Sequence, residues 1–159
     1  MTTSLPSVLF VCLGNICRSP LAEAALRHQA QEAGLELLVD SAGTGSWHIG
    51  NPPDPRACKE ALRHGIDITG YRARQVDQGD FARFDRIIAL DSQNLADLER
   101  IAPPSPRAHL SLLLDHIPGM AGQDVADPYF GGAEGFMETW RQVHEAARHL
   151  TGTIQREQA

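Results

Sequence analysis

The sequence predicts an α/β fold: a three-layer sandwich with a four-stranded parallel sheet flanked by helices on both faces. Two observations carry this. Short apolar, β-branched runs alternate four times with helical stretches. Three of those helical stretches are bracketed by capping residues or proline at the start and by glycine or proline at the end. Right-handed crossovers turn this order into a doubly wound sandwich. In such folds the site lies beyond the carboxyl ends of the strands, at a switch point.

The elements follow in order. Residues 7–12 (SVLFVC) read as a fully buried strand, and Gly14-Asn15 as a turn after it. Ser19 is the expected cap of a helix with Pro20 at its first position, running to about Ala33 and stopped at Gly34. Residues 36–41 are the second strand, and a glycine-rich loop holding Trp47 follows. Asp54-Pro55 starts a second helix, which places Cys58, Ala61 and Leu62 on one face and ends at Gly65. Residues 86–90 are the third strand. Ser92 is the expected cap of a helix closed by Pro103-Pro104, and residues 108–113 are the fourth strand. Residues 115–132 form a long loop, and loops of that length are functional or disordered. The last helix spans about 134–150 on the stripe Phe136, Trp140, Val143, Ala147 and Leu150. The polar tail from about residue 151 is expected to fray.

Length and composition narrow the function. The 159 residues fit a single domain over 1–159, and 42% hydrophobic with 21% charged residues is near the globular norm. A chain of this size buries roughly two thirds of its unfolded surface and needs no staples. The net charge of −6 argues against nucleic acid and anionic membrane as partners. No apolar run approaches the roughly 20 residues of a membrane span, and no signal peptide is legible. Three cysteines, an odd count, suit a cytoplasmic protein with thiols better than a disulfide scaffold. With no CxxC and no HxxxH, a structural zinc site is not expected.

The loop after the first strand carries the chemistry: Cys12, Leu13, Gly14, Asn15, Ile16, Cys17, Arg18, Ser19, in the spacing C-x5-R-S. A loop of this length can curl its backbone N–H groups inward and aim a helix N-terminus at the same point, making an anion nest. Gly14 and Asn15 tolerate the backbone angles this requires. Arg18 supplies a planar fork for two phosphate oxygens. The same positive surroundings favour Cys12 as a thiolate, in line with phosphorus. The plainer reading is a buried structural cysteine beside a glycine turn. A nucleotide P-loop is excluded, since G-x4-G-K-[ST] is missing and the loop has no lysine. A phosphatase also needs a general acid, and Asp127-Pro128 in the long loop offers one, against the alternative of a plain Asp-Pro turn.

These residues resemble the low-molecular-weight protein tyrosine phosphatases. The resemblance covers VLFVCLGNICRSPLAEA (Val8–Ala24), SAGTGSWHIGNPPDPRA (Ser41–Ala57), RARQV (Arg72–Val76) and DPYF (Asp127–Phe130). It implies the flavodoxin-like fold of that family. It also implies hydrolysis of phosphotyrosine and small aryl phosphates through a cysteinyl-phosphate intermediate, without a cofactor. By resemblance Cys12 is the nucleophile, Arg18 the clamp, and Asp127 the acid and then the base. Asn15 resembles the residue that holds the loop through a polar network with Ser19, Ser41 and His64, and Ser19 donates to the Cys12 sulfur. Trp47 and Tyr129 resemble walls about a phosphotyrosine ring, with Phe130 beside them where the family often has a second tyrosine. The partners implied are phosphotyrosine proteins. A bacterial tyrosine kinase is the analogous counterpart, since Lys59 is the only lysine among 14 basic residues and such a bias suggests a GC-rich bacterial genome.

Two rival functions stand beside this. Thiol-dependent arsenate reductase resembles the same fold and loop, but it needs further cysteines, and beyond Cys17 only Cys58 remains. A phosphate-binding module without turnover would not need nucleophile, clamp and acid together. Cys17, in the same loop as Cys12, is the expected resolving thiol if Cys12 is oxidised, or else a small apolar residue; Cys58 reads as helix-face packing.

Overall fold

The computed structural model describes residues 5–158. Four strands, Ser7–Cys12 (β1), Leu38–Gly43 (β2), Arg86–Ala89 (β3) and His109–Leu112 (β4), form one parallel sheet in the order β2-β1-β3-β4. In register, Cys12 stands opposite Gly43, and Val11 opposite Ala89. All six residues of β1 are buried, as both faces of a central parallel strand must be when helices cover them.

The helices are Arg18–Glu32 (α1), Pro55–Arg63 (α2), Asp80–Arg83 (α3, a single turn), Ser92–Ile101 (α4) and Ala133–Gln158 (α5). Side chains of β1 alternate between the two faces. Val8, Phe10 and Cys12 join Leu21, Leu26, Phe136 and Trp140 in a core built with α1, α2 and α5. Leu9 and Val11 join Ile87, Phe81 and Leu98 in a second core beneath α3 and α4. Cys12 therefore ends β1 on the face that carries α1, and its sulfur meets the start of that helix.

Several local expectations change. Ser19 does not cap α1: the N-cap is Cys17, without a side-chain cap, and Ser19 lies inside the first turn with its hydroxyl turned to the loop. Asp91, not Ser92, caps α4, its Oδ1 accepting from Asn94 N at 2.8 Å. Asp54 does cap α2, with Pro55 first in the helix. Leu62 is exposed, while Ala57 and Ala61 make the buried face. β2 begins at Leu38 and runs on to Gly43, two residues beyond expectation. α5 continues through the segment expected to fray, because Ile154 extends the apolar stripe by one more helical step and is buried. Glu157, near its end, pairs with Arg86 at 2.6 Å.

The long loop begins with a 3-10 turn, Leu113–His116, and is tied to the sheet where Val125 N donates to Leu90 O at 2.9 Å. Among the described residues, no helix is long and apolar enough to cross a membrane.

Candidate active site

The sheet order reverses at β1: the chain leaves it for β2 on one side and returns to β3 on the other. The crevice beyond the carboxyl ends of β1 and β3 is the switch point. A pocket of about 150 Å³ opens there. That is roughly the size of a cavity that holds one benzene ring. Cys12, Leu13, Gly14, Ile16, Cys17 and Arg18 line its floor, and Trp47, His48, Asp127, Tyr129 and Phe130 stand around it. Trp47 is 71% exposed, Tyr129 40% and Phe130 92%, so these aromatics form a rim and are not core.

The floor is a backbone nest. Among the described residues, the amides of Gly14, Ile16 and Cys17 donate to no protein acceptor. The first turn of α1 adds the unpaired N–H groups that every helix start presents. Asn15 makes the curl, at φ 58°, the one left-handed non-glycine among the described residues. Its side chain holds that conformation from three sides. Asn15 Nδ2 donates to Ser19 Oγ at 2.8 Å and to Ser41 Oγ at 3.0 Å, while Oδ1 accepts from Arg74 N at 3.0 Å. Gly14 does not supply a left-handed angle. Its missing side chain instead leaves room for His48, whose ring a Cβ would meet at 3.0 Å.

The Cys12 sulfur sits within this frame. Asn15 N donates to Sγ at 3.3 Å, and Ser19 Oγ lies 3.0 Å from it. Arg18 is buried, and burial works against its cation. The charges of Cys12, Asp91 and Asp127 outweigh burial and hold its pKa above the ordinary value. Its Nη1 is committed to Asp91 Oδ2 at 2.6 Å and to the Val125 carbonyl at 2.9 Å. The fork therefore meets the pocket through Nη2, which lies 3.6 Å from Asp127 Oδ2. Cys17 is different: burial, reinforced by Asp54 and Cys12, pushes its thiol up and keeps it protonated.

The structure thus brings Cys12, Arg18 and Asp127 to one pocket, with Asn15, Ser19 and Ser41 behind it. It does not bring His64 there. His64 Nε2 bonds Glu60 at 2.8 Å, and the ring stacks on Trp140 at 4.5 Å. The network runs the other way: Ser41 Oγ donates to the buried Glu23 at 2.7 Å, a carboxyl whose pKa burial raises. Among the described residues no group of three His, Cys, Asp or Glu is placed to hold a metal ion.

Four further residues shape the site. Asp91 anchors Arg18. Arg74 offers its amide to Asn15. Gly43 faces the loop backbone, where a Cβ would lie 2.7 Å from the Leu13 carbonyl oxygen. Arg56 donates to the carbonyls of Tyr129 at 2.9 Å and Gly131 at 3.0 Å, and so pins the loop that carries Asp127. In the sequence, Arg74 and Gly43 show only as members of RARQV and SAGTG, and Asp91 only as a residue next to a cap.

Residues 7–159 match the family model described as low molecular weight phosphotyrosine protein phosphatase. The chain belongs to that family. Among its relatives, the Schizosaccharomyces pombe low molecular weight phosphotyrosine protein phosphatase is 43% identical over 92% of this chain and 96% of its own. The Streptomyces coelicolor low molecular weight protein-tyrosine-phosphatase is 46% identical over 92% of each chain. The crystal structure of YfkJ from Bacillus subtilis superposes with a TM-score of 0.91 at 43% identity, covering 99% of each chain. The low molecular weight phosphatase fold of those relatives is thus the three-layer architecture seen here.

Proposed function

We propose that this phosphatase hydrolyses phosphotyrosine in two steps through a covalent cysteinyl phosphate. The observation that carries the reading is the meeting of the Cys12 sulfur, a nest of unpaired amides, the Arg18 fork and the Asp127 carboxyl at one ring-sized pocket. In the first step the Cys12 thiolate attacks phosphorus. The S–P bond forms as the bond from phosphorus to the tyrosine oxygen breaks, and Asp127 gives its proton to the departing oxygen. In the second step Asp127 takes a proton from water as that water attacks phosphorus. The S–P bond breaks, inorganic phosphate leaves, and the sulfur returns as thiolate with its charge eased by Ser19. The loop amides and Arg18 hold the equatorial oxygens throughout, placed in advance for the charge they carry.

The rim selects the ring. Trp47 and Tyr129 flank an entrance that admits one aromatic ring, and apolar walls favour an aryl ester over a short alkyl one. Phosphotyrosine proteins are the substrate class, and a protein-tyrosine kinase is the class of enzyme that supplies them. The negative net charge is no obstacle, because the nest acts at contact distance while the overall field is screened over about 8 Å at physiological salt.

The test pairs two variants on phosphotyrosine and on aryl phosphates of graded leaving group, with a chelator present. Cys12→Ser loses turnover and still binds phosphate. Asp127→Asn slows turnover by about 10²–10⁴-fold, most for the poorest leaving group. Turnover that survives in Cys12→Ser, or a flat leaving-group response in Asp127→Asn, overturns these assignments.

A further inference from the structure

A second depression adjoins the phosphate pocket. It is an open groove of about 450 Å³, and it shares two residues, Leu13 and Trp47, with the pocket itself. Trp47 is a common wall: what lies on one side of it is the ring entrance, and on the other the groove. Ile101, from the end of α4, faces the groove, and it, Leu13 and Trp47 are 37%, 41% and 71% exposed. Three large apolar side chains from three separate elements thus meet solvent around one hollow. The charged members of the lining, Asp97 and Arg100, pair with each other, so the groove offers a ligand no unbalanced charge.

The seat of the shared wall is built. The six-membered ring of Trp47 packs against Gly45, so closely that a Cβ on Gly45 would fall 1.9 Å from the indole. Gly45 is not in the left-handed region, so its backbone would accept alanine. The absence of a side chain there is required by the position of Trp47 and not by the turn. Gly45 is a positioning residue for that ring.

We propose that this groove receives an apolar side chain of the substrate polypeptide, within two residues of the phosphotyrosine, and that Leu13, Trp47 and Ile101 make this phosphatase prefer such sequences. The inference rests on the proposed hydrolysis of phosphotyrosine. Continuity with the phosphate pocket identifies the occupant as the chain that carries the phosphotyrosine. In an extended peptide each residue advances about 3.3 Å, so a flanking side chain reaches a hollow that shares a wall with the ring's own pocket. The paired charges and apolar lining select against acidic or basic neighbours, which would give up hydration there for no partner.

The experiment compares phosphopeptides that carry leucine or serine at each of the two positions on either side of phosphotyrosine, with p-nitrophenyl phosphate as a substrate that has no flanking residues. In the wild type, leucine at one or more of these positions raises kcat/KM by about tenfold over serine, the scale of a single small apolar contact. In Ile101→Gln that advantage shrinks to near unity while p-nitrophenyl phosphate turnover is unchanged. Gly45→Ala displaces Trp47, so it lowers the leucine advantage and also raises KM for p-nitrophenyl phosphate, with kcat retained. Absence of a leucine preference at every position, or its survival in Ile101→Gln, overturns the groove assignment alone. Failure of the wild type to hydrolyse p-nitrophenyl phosphate overturns the catalytic reading beneath it.

Discussion

Asp91 accepts from Arg18 Nη1 at 2.6 Å through one carboxylate oxygen and caps α4 through the other, from Asn94 N at 2.8 Å. One side chain thus fixes the phosphate clamp and starts a helix, which ties the clamp to the end of β3. The two roles separate by substitution. Asp91→Asn keeps the cap, since Asn caps as well as Asp, and removes the charge that orients Arg18. The expected result is a loss of about 10- to 100-fold in kcat/KM and in affinity for inorganic phosphate, the scale of one hydrogen bond to a charged group, with little change in Tm. Unchanged phosphate inhibition would show that Arg18 holds its pose without Asp91.

Gly43 predicts a loop defect. A Cβ there would stand 2.7 Å from the Leu13 carbonyl oxygen, 3.1 Å from Gly14 C and 3.2 Å from Asn15 N. All three are backbone atoms, so the loop itself must move. Gly43→Ala is expected to cost about 10²-fold in kcat/KM, the effect of roughly an ångström of misplacement at a reacting centre. Phosphate binding should weaken in parallel. Full activity in a folded Gly43→Ala protein would mean that the loop yields without harm.

Acid stability should depend on Asp80. This fully buried carboxylate accepts from Arg74 at 3.0 and 3.1 Å, from Arg83 at 2.7 Å and from Asp77 N at 2.9 Å. Burial alone would raise its pKa; the bonds from Arg74, Asp77 N and Arg83 outweigh burial and hold it below the ordinary carboxylate value. A carboxyl whose folded pKa is depressed contributes stability above its unfolded pKa of about 3.9. That contribution is lost as pH falls through the folded pKa. Asp80→Asn is therefore expected to lower stability near neutrality by about 2 kcal/mol and to flatten the fall in Tm below about pH 4. An acid limb identical to wild type would assign the effect to another group. Because Arg74 also offers its amide to Asn15, the variant should lose some activity as well.

Oxidation should distinguish the two loop cysteines. Burial, with Asp54 and Cys12, keeps Cys17 protonated, so Cys12 is the thiol that peroxide attacks first. Mild peroxide is expected to remove about two daltons, the loss of two hydrogens as sulfenic acid condenses to a disulfide, reversibly with added thiol. Cys17→Ser should progress to irreversible sulfinic and sulfonic acids instead. Equal irreversible oxidation of both proteins would show that Cys17 does not resolve Cys12.

Local sequence order is enough to read the four strands, the helices of the described residues other than α3, and the loop from Cys12 to Ser19. Those signals are short-range: a buried run, a glycine stop, a fixed C-x5-R-S spacing. The turn of α3 escaped because four residues carry no helical period. The end of α5 is hidden in the sequence because polar residues surround Ile154, which supplies one further apolar step. The resemblance puts His64 in the Asn15 network, yet its ring stacks on Trp140, 76 residues further along the chain. Spacing does not report such a contact.

The parallel α/β architecture, the anion loop and the residue types able to run a thiolate phosphatase are all legible in the amino-acid order. Periodicity, capping and chain order are written within a few residues of each other. Which distant groups hold that loop in place is visible in the folded chain alone. Asp91 on Arg18, Arg74 on Asn15, Gly43 against Leu13 and Gly45 beneath Trp47 depend on strand order and register. Folding brings together side chains that the chain keeps tens of residues apart.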